Sequence, residues 1–265
     1  MLYRLMFVWF LPGKSMSIFW PILYSIFIWW FSTGIILLLN QRHPSTYKNA
    51  FWVSGMVLAL ALVGLKTSSN LSSVAGAYCG FTCAILVWGW QEIGFLFGYV
   101  TGPRREPCPE NCRGWQKMYF AFKTIQHHEI ALVILALAVT MMTWGGSNQT
   151  GFWTFMILWL MRQSAKLNIF LGVLNLNERF LPNHLKYIFT YFTCKPMNPL
   201  LPLSVIGGVL CAIPLWQAAA HPSSSDFIVA SMSLTGAILS LAVLEHILMV
   251  VPFSSERLWK WGMRS

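Results

Sequence analysis

Residues 227–253 read FIVASMSLTGAILSLAVLEHILMVVPF. One charged residue, Glu245, stands in that run, and His246 follows it. A helix rises about 1.5 Å per residue, so about 20 apolar residues cross a hydrocarbon layer of about 30 Å. The run is expected to span a membrane. Residues 74–101, VAGAYCGFTCAILVWGWQEIGFLFGYVT, read the same way and again hold one charge, Glu92. Five further windows follow at 18–39, 51–65, 118–144, 151–174 and 200–219. The expected fold is all-α, a polytopic transmembrane helix bundle of about seven spans in one domain over 1–265. The window at 51–65 is short and needs Lys66 as a snorkelling end. Residues 1–16 are too short to span and suit a helix lying at the interface. No small-residue cleavage site of a secretory signal precedes the first span.

Composition agrees. Of 265 residues, 56% are hydrophobic and 10% are charged, where soluble domains carry about 25% charged residues. A cytosolic enzyme, a disordered chain and a nucleic-acid-binding domain are excluded together. The partner implied first is the lipid bilayer, and no nucleic acid is expected. The net charge of +10 is then a topology signal. Twelve of the eighteen basic residues fall on one side of a seven-span arrangement: Arg42, Lys48, Arg104, Arg105, Arg113, Lys117, Arg179, Lys186, Lys195, Arg257, Lys260 and Arg264. The other side holds Arg4, Lys14 and Lys66. This places the N-terminus outside and the C-terminus in the cytoplasm of a multi-pass membrane protein. A six-span arrangement without the 51–65 window would put the N-terminus inside.

Charges inside spans are costly and point to function. Glu92, Glu129 and Glu245 are the acids there, and Lys123, Arg162 and Lys166 the bases. His127 and His128 precede Glu129. Counted from the expected span ends, Glu92, His128, Arg162, Lys166 and Glu245 lie about 12–18 Å deep. Spans three, four, five and seven are therefore expected to converge on one polar layer. Three readings fit. A neutral network would pair the three acids with the three bases. A metal site would use His128, Glu129, Glu245 and His246, with iron as the candidate. Against it, the Glu-x-x-His spacing of di-iron bundles is absent, and adjacent Glu245 and His246 point about 100° apart. A tetrapyrrole site would use a histidine on the central metal and Arg162 and Lys166 on carboxylates.

The segment after span five carries Asn168, Asn175 and Asn177, then Glu178, His184 and Lys186. Pro182 should break the helix there. A re-entrant or interfacial turn beneath the polar layer is expected, against a simpler capped end with a solvated loop. Cys108 and Cys112 stand in C-P-E-N-C, which is not zinc-knuckle spacing. Cys79, Cys83 and Cys211 read as packing residues.

Several runs occur in order: YVTGPRREPCPENCRGW (99–115), HHE (127–129), LWLMRQSAKLNIFLGVLNLNERFLPNHLKY (158–187), KPMNPL (195–200), VLEH (243–246) and ERLWKWG (256–262). This pattern, from about Gly89 to the end, resembles the photosynthetic complex assembly protein family labelled PuhE. The resemblance implies an integral membrane protein of a phototrophic bacterium, encoded near the reaction-centre H subunit. It implies reaction-centre and light-harvesting proteins as partners, and bacteriochlorophyll or a precursor as the tetrapyrrole. No catalytic residue comes with it. The expected ligand-binding or charge-network residues are Glu92, His127, His128, Glu129, Arg162, Lys166, Glu178, His184, Glu245 and His246. The other functions in view are a metal-dependent membrane oxidase acting on a tetrapyrrole or lipid, and a permanent subunit of the reaction-centre complex.

Overall fold

The structure is a computed structural model and describes residues 15–176, 178–252 and 255–262. The expected interfacial segment over 1–16 lies outside the described residues, apart from the two positions that begin the first helix. Among the described residues there are seven long helices: α1 Ser15–Asn40, α2 Tyr47–Ser68, α3 Val74–Leu96, α4 Gly114–Thr143, α5 Thr150–Leu171, α6 Leu200–Ala220 and α7 Asp226–Leu248. All but α5 are long and apolar enough to cross a membrane. α5 matches them in length but carries Arg162, Gln163, Ser164, Lys166 and Asn168 in its second half.

Contacts between the helices fix their directions. Tyr24 Oη meets Thr82 Oγ1 and Gly89 lies against Ile36, so α1 and α3 run parallel. Gly80 touches Gly151 and Glu92 meets Arg162, so α3 and α5 run parallel. Thr150 bonds Ser231 and Ser164 bonds His246, so α5 and α7 run parallel. α6 opposes both of its neighbours: Ser204 meets Ser164 and Gly208 meets Met161 and Val243. Direction alternates at every turn, and α5 stands level with the others.

α3, α5 and α7 pack on one another, with α1, α2, α4 and α6 outside them. In lipid, close backbone approach has to replace hydrophobic drive between helices. α3 and α5 achieve it at Gly80 and Gly151: a Cβ on Gly151 would collide with Leu65 Cδ2 and sit 2.9 Å from Gly80 O. Around that point lie Ala61, Leu65, Ala84, Val87, Leu132, Val139 and Phe155.

Three helices end earlier than the apolar windows do. α3 stops at Leu96 because Gly98 takes φ 78°, and α5 stops at Leu171 before Gly172 at φ 128°. α7 stops at Leu248, ahead of Pro252. All three C-termini are closed by the segment joining α5 to α6. His184 Nε2 meets Leu96 O at 3.0 Å. Asn198 Nδ2 donates to Asn168 O and Gly172 O at 3.2 and 2.9 Å. Asn175 Nδ2 donates to Leu248 O at 2.7 Å. Leu185 and Ile188 of this segment bury against Phe95 and Leu96. It is a strap, built of short turns at Glu178–Phe180, Asn183–Leu185 and Lys186–Phe189.

Overpacking a close glycine contact costs about 1–3 kcal/mol. Gly151→Val is expected to lower the thermal midpoint of the detergent-solubilised protein by several degrees. Gly207→Val, at a position with open space around it, is expected to leave the midpoint in place. Equal midpoints for the two variants would contradict this packing.

Candidate functional site

α5 presents two polar faces. Arg162 and Lys166 are four apart and share one face, as Ser164 and Asn168 share another, about 200° round the helix. The first face turns to α3 and α4. Arg162 Nη2 lies 3.0 Å from Glu92 Oε2, with the Glu92 side chain 12% exposed and that of Arg162 44%. Lys166 Nζ pairs with Glu129 Oε1, and Gln163 Nε2 donates to the other oxygen, Oε2, at 2.8 Å. On α3, Gln91 Nε2 lies 2.9 Å from His128 Nδ1 and donates to His128 O at 3.1 Å. The 101–104 segment crosses α4 at this level. His128 N donates to Thr101 O at 2.9 Å, and a Cβ on Gly102 would collide with Lys123 O.

The second face turns to α6 and α7. His246 is buried; its Nδ1 meets Ala242 O at 2.8 Å and its Nε2 meets Ser164 Oγ at 3.0 Å. Asn168 Nδ2 donates to Ser164 O at 2.9 Å and to Ser204 Oγ at 3.1 Å. A separate bond joins α1 to α7, from Trp29 Nε1 to Glu245 Oε1 at 2.9 Å.

This differs from the expected layer in four ways. The neutral set of three acids and three bases is two ion pairs. Lys123 bonds Gln126 and lies over the Tyr119 ring, while Glu245 takes Trp29 and makes no ion pair among the described residues. The proposed metal ligands do not converge. His128, Glu129, Glu245 and His246 each have different partners, and no group of three or more His, Cys, Asp or Glu among the described residues could hold a metal ion. His127 is exposed on α4, apart from buried His128, and Glu178 is exposed in a turn of the strap. His184 acts at the end of α3 rather than in the layer. Burial holds its pKa below the ordinary value, the bond to the Leu96 carbonyl works against that, and Arg105 lowers it further.

Depth is the fourth difference. Because α3, α5 and α7 end early, Glu92, Lys166 and Glu245 lie about 4–8 Å from their helix ends, and Arg162 about 14 Å. The layer sits just inside the strap. Three buried polar atoms there have no partner among the described residues: Gln91 Oε1, Glu92 Oε1 and Asn168 Oδ1. Buried polar groups left this way are sites for water or a ligand. Gln91, Gln163, Ser164, Ser204 and Trp29 lie outside the expected set, which weighs only charges and histidines. Uncharged polar residues at i, i+4 within one span, as at Ser164 and Asn168, are the signal that finds them.

A family model described as "Protein of unknown function (DUF3623)" matches residues 15–265. The chain belongs to this family. A relative from Rhodobacter capsulatus is 36% identical over 245 residues, covering 91% of this chain and 89% of the relative. It is described as an uncharacterized 30.4 kDa protein in the puhA 5′ region. No solved structure matches.

Removing one partner of a buried ion pair costs more than removing both. Lys166→Met is expected to destabilise the bundle by about 2 kcal/mol, and adding Glu129→Leu should restore most of the loss. The same cycle on Arg162 and Glu92 should give a smaller coupling, because the Arg162 side chain is nearly half exposed. Thermal or denaturant unfolding of the four single and two double variants measures both; additive losses at Lys166 and Glu129 would show that the pair carries no coupling.

Proposed function

We propose that this chain is an accessory protein of the bacterial photosynthetic membrane that serves assembly of reaction-centre and light-harvesting complexes. The relative named for the puhA 5′ region carries the reading, through its similarity over nearly the whole chain. The motifs resembling PuhE agree with it.

The chain crosses the membrane seven times in this reading, with its basic end in the cytoplasm. Supporting it, the turns at 69–73, 144–149 and 221–225 gather at one end of the bundle and carry no Lys or Arg. The opposite end holds the strap and the 97–113 loop, joined through Arg104 and Tyr191. α5 crosses too, shielded by its partners. Reporter fusions check this: periplasmic signal is expected after Ser147 and Ser223, and cytoplasmic signal after Glu110 and the last residue. Cytoplasmic signal after Ser223 would refute seven crossings.

The polar layer handles bacteriochlorophyll or a precursor. Arg162 pairs with Glu92 yet its side chain stays 44% exposed, which leaves it able to hold a carboxylate. Of the layer's histidines, His128 and His246 are sealed and His127 is exposed. A pigment's central metal would therefore meet His127, on the outer side of α4. Purification in mild detergent from a phototrophic host should yield pigment absorbance co-eluting with the chain, reduced several-fold by His127→Ala or Arg162→Ala. A colourless preparation that fully supports assembly would sink the pigment role. One copy retained per purified reaction centre would favour a permanent subunit over an assembly factor.

A further inference from the structure

Parallel packing of α5 and α7 places a serine hydroxyl against a buried imidazole. Ser164 Oγ and His246 Nε2 are 3.0 Å apart. The other ring nitrogen, Nδ1, meets the Ala242 carbonyl at 2.8 Å. A carbonyl only accepts, so Nδ1 carries a hydrogen, and in the neutral ring Nε2 is left as an acceptor. A nucleophile in reach of a base, with the base held by a third group, is the arrangement that activates a serine.

Ser164 lacks the local bond that several hydroxyls of these helices make. Thr154, Ser204 and Ser240 donate back to the carbonyl four residues earlier, at 2.7, 3.0 and 2.8 Å. That local bond is the default for a serine or threonine in a helix. The Ser164 hydroxyl instead reaches across to α7 and α6. Its proton has two acceptors, His246 Nε2 and Ser204 Oγ at 2.9 Å, and Ser204 has already given its own proton to Leu200 O. One turn on, Asn168 Nδ2 stands 3.5 Å from Ser164 Oγ. Its two protons face Ser164 O, Ser164 Oγ and Ser204 Oγ, and the Asn168 backbone carbonyl accepts a bond from Asn198.

We propose that Ser164 and His246 form an intramembrane nucleophile–base pair for acyl transfer from a lipid-soluble carboxylic ester, with the Asn168 amide receiving the oxyanion. Approach is from the bilayer. Ser164 and Ser204 are half-buried, α5 packs closely on α7 but sparsely on α6, and Leu160, Leu167 and Leu203 beside the gap are exposed. Ser164 Oγ bonds to the ester carbonyl carbon while its proton moves to His246 Nε2. Collapse of the tetrahedral species breaks the carbon–oxygen bond to the alcohol, and His246 returns the proton to the departing oxygen. Water then attacks the acyl-serine. Its proton passes through His246 to Ser164, so one ester and one water become one acid and one alcohol. The carboxylates and cations nearby serve other partners: Lys166 faces Glu129, and Glu245 faces Trp29.

The test uses the full chain in lipid nanodiscs, treated with a lipophilic fluorophosphonate and read by peptide mass spectrometry. Label is expected at Ser164 at least tenfold above any other serine, unchanged by Ser240→Ala and lowered at least tenfold by His246→Gln. A folded wild-type protein with Ser164 unlabelled would overturn the proposal, as would equal labelling in a folded His246→Gln. A second variant does not depend on losing the histidine. Ser164→Cys should alkylate at the substituted position with iodoacetamide at least tenfold faster than Cys211, a thiol exposed on α6. An introduced thiol no faster than Cys211 would mean that the histidine activates nothing.

Discussion

One constraint organises this protein: α5 cannot sit in lipid unless its neighbours satisfy it. A helix with a guanidinium, an ammonium, two amides and a hydroxyl in its second half cannot leave those groups facing lipid tails. α3 supplies Glu92, α4 supplies Glu129, α7 supplies His246 and α6 supplies Ser204. The placement of four helices around a fifth follows from that set of bonds. Apolar area alone would not choose it, because lipid tails are as apolar as leucine.

The bundle is legible in the sequence because membrane spans announce themselves by length and scarcity of charge. Span ends are less so. The apolar run from Val74 to Thr101 continues through Gly98, where a positive φ stops the helix, and hydropathy is blind to backbone angles. The polar layer therefore lies shallower than the apolar windows imply. Convergence of Glu92, Glu129, Arg162 and Lys166 follows from their levels along the helices. Which acid meets which base does not, since it depends on helix rotation: charge balance assigns Glu245 a cation, yet it turns to Trp29, and Lys123 turns to its own helix. His127 and His128 show the same limit. Adjacent in sequence, they differ by about 100° on the helix, and one is exposed while the other is sealed.

The strap from Gly172 to Pro199 explains why a long polar segment follows α5. Asn175, Asn198 and His184 are spent on carbonyls at three helix ends. A helix terminus leaves four carbonyls without partners, and inside a membrane protein those have to be met by something other than bulk water. The segment that reads as a loop is thus part of the bundle's hydrogen bonding.

The parallel run of α3, α5 and α7 has an electrostatic consequence. Neighbours packed head to tail cancel their dipoles. Here the three central helices finish together, and each carries about half a negative charge at that terminus. The centre of the basic end is therefore negative and sits under the strap, which carries Arg179, Lys186 and Lys195, while α2, α4 and α6 present positive starts around it. The surplus of basic side chains at that end, first a marker of orientation, also balances a field that the backbone itself creates.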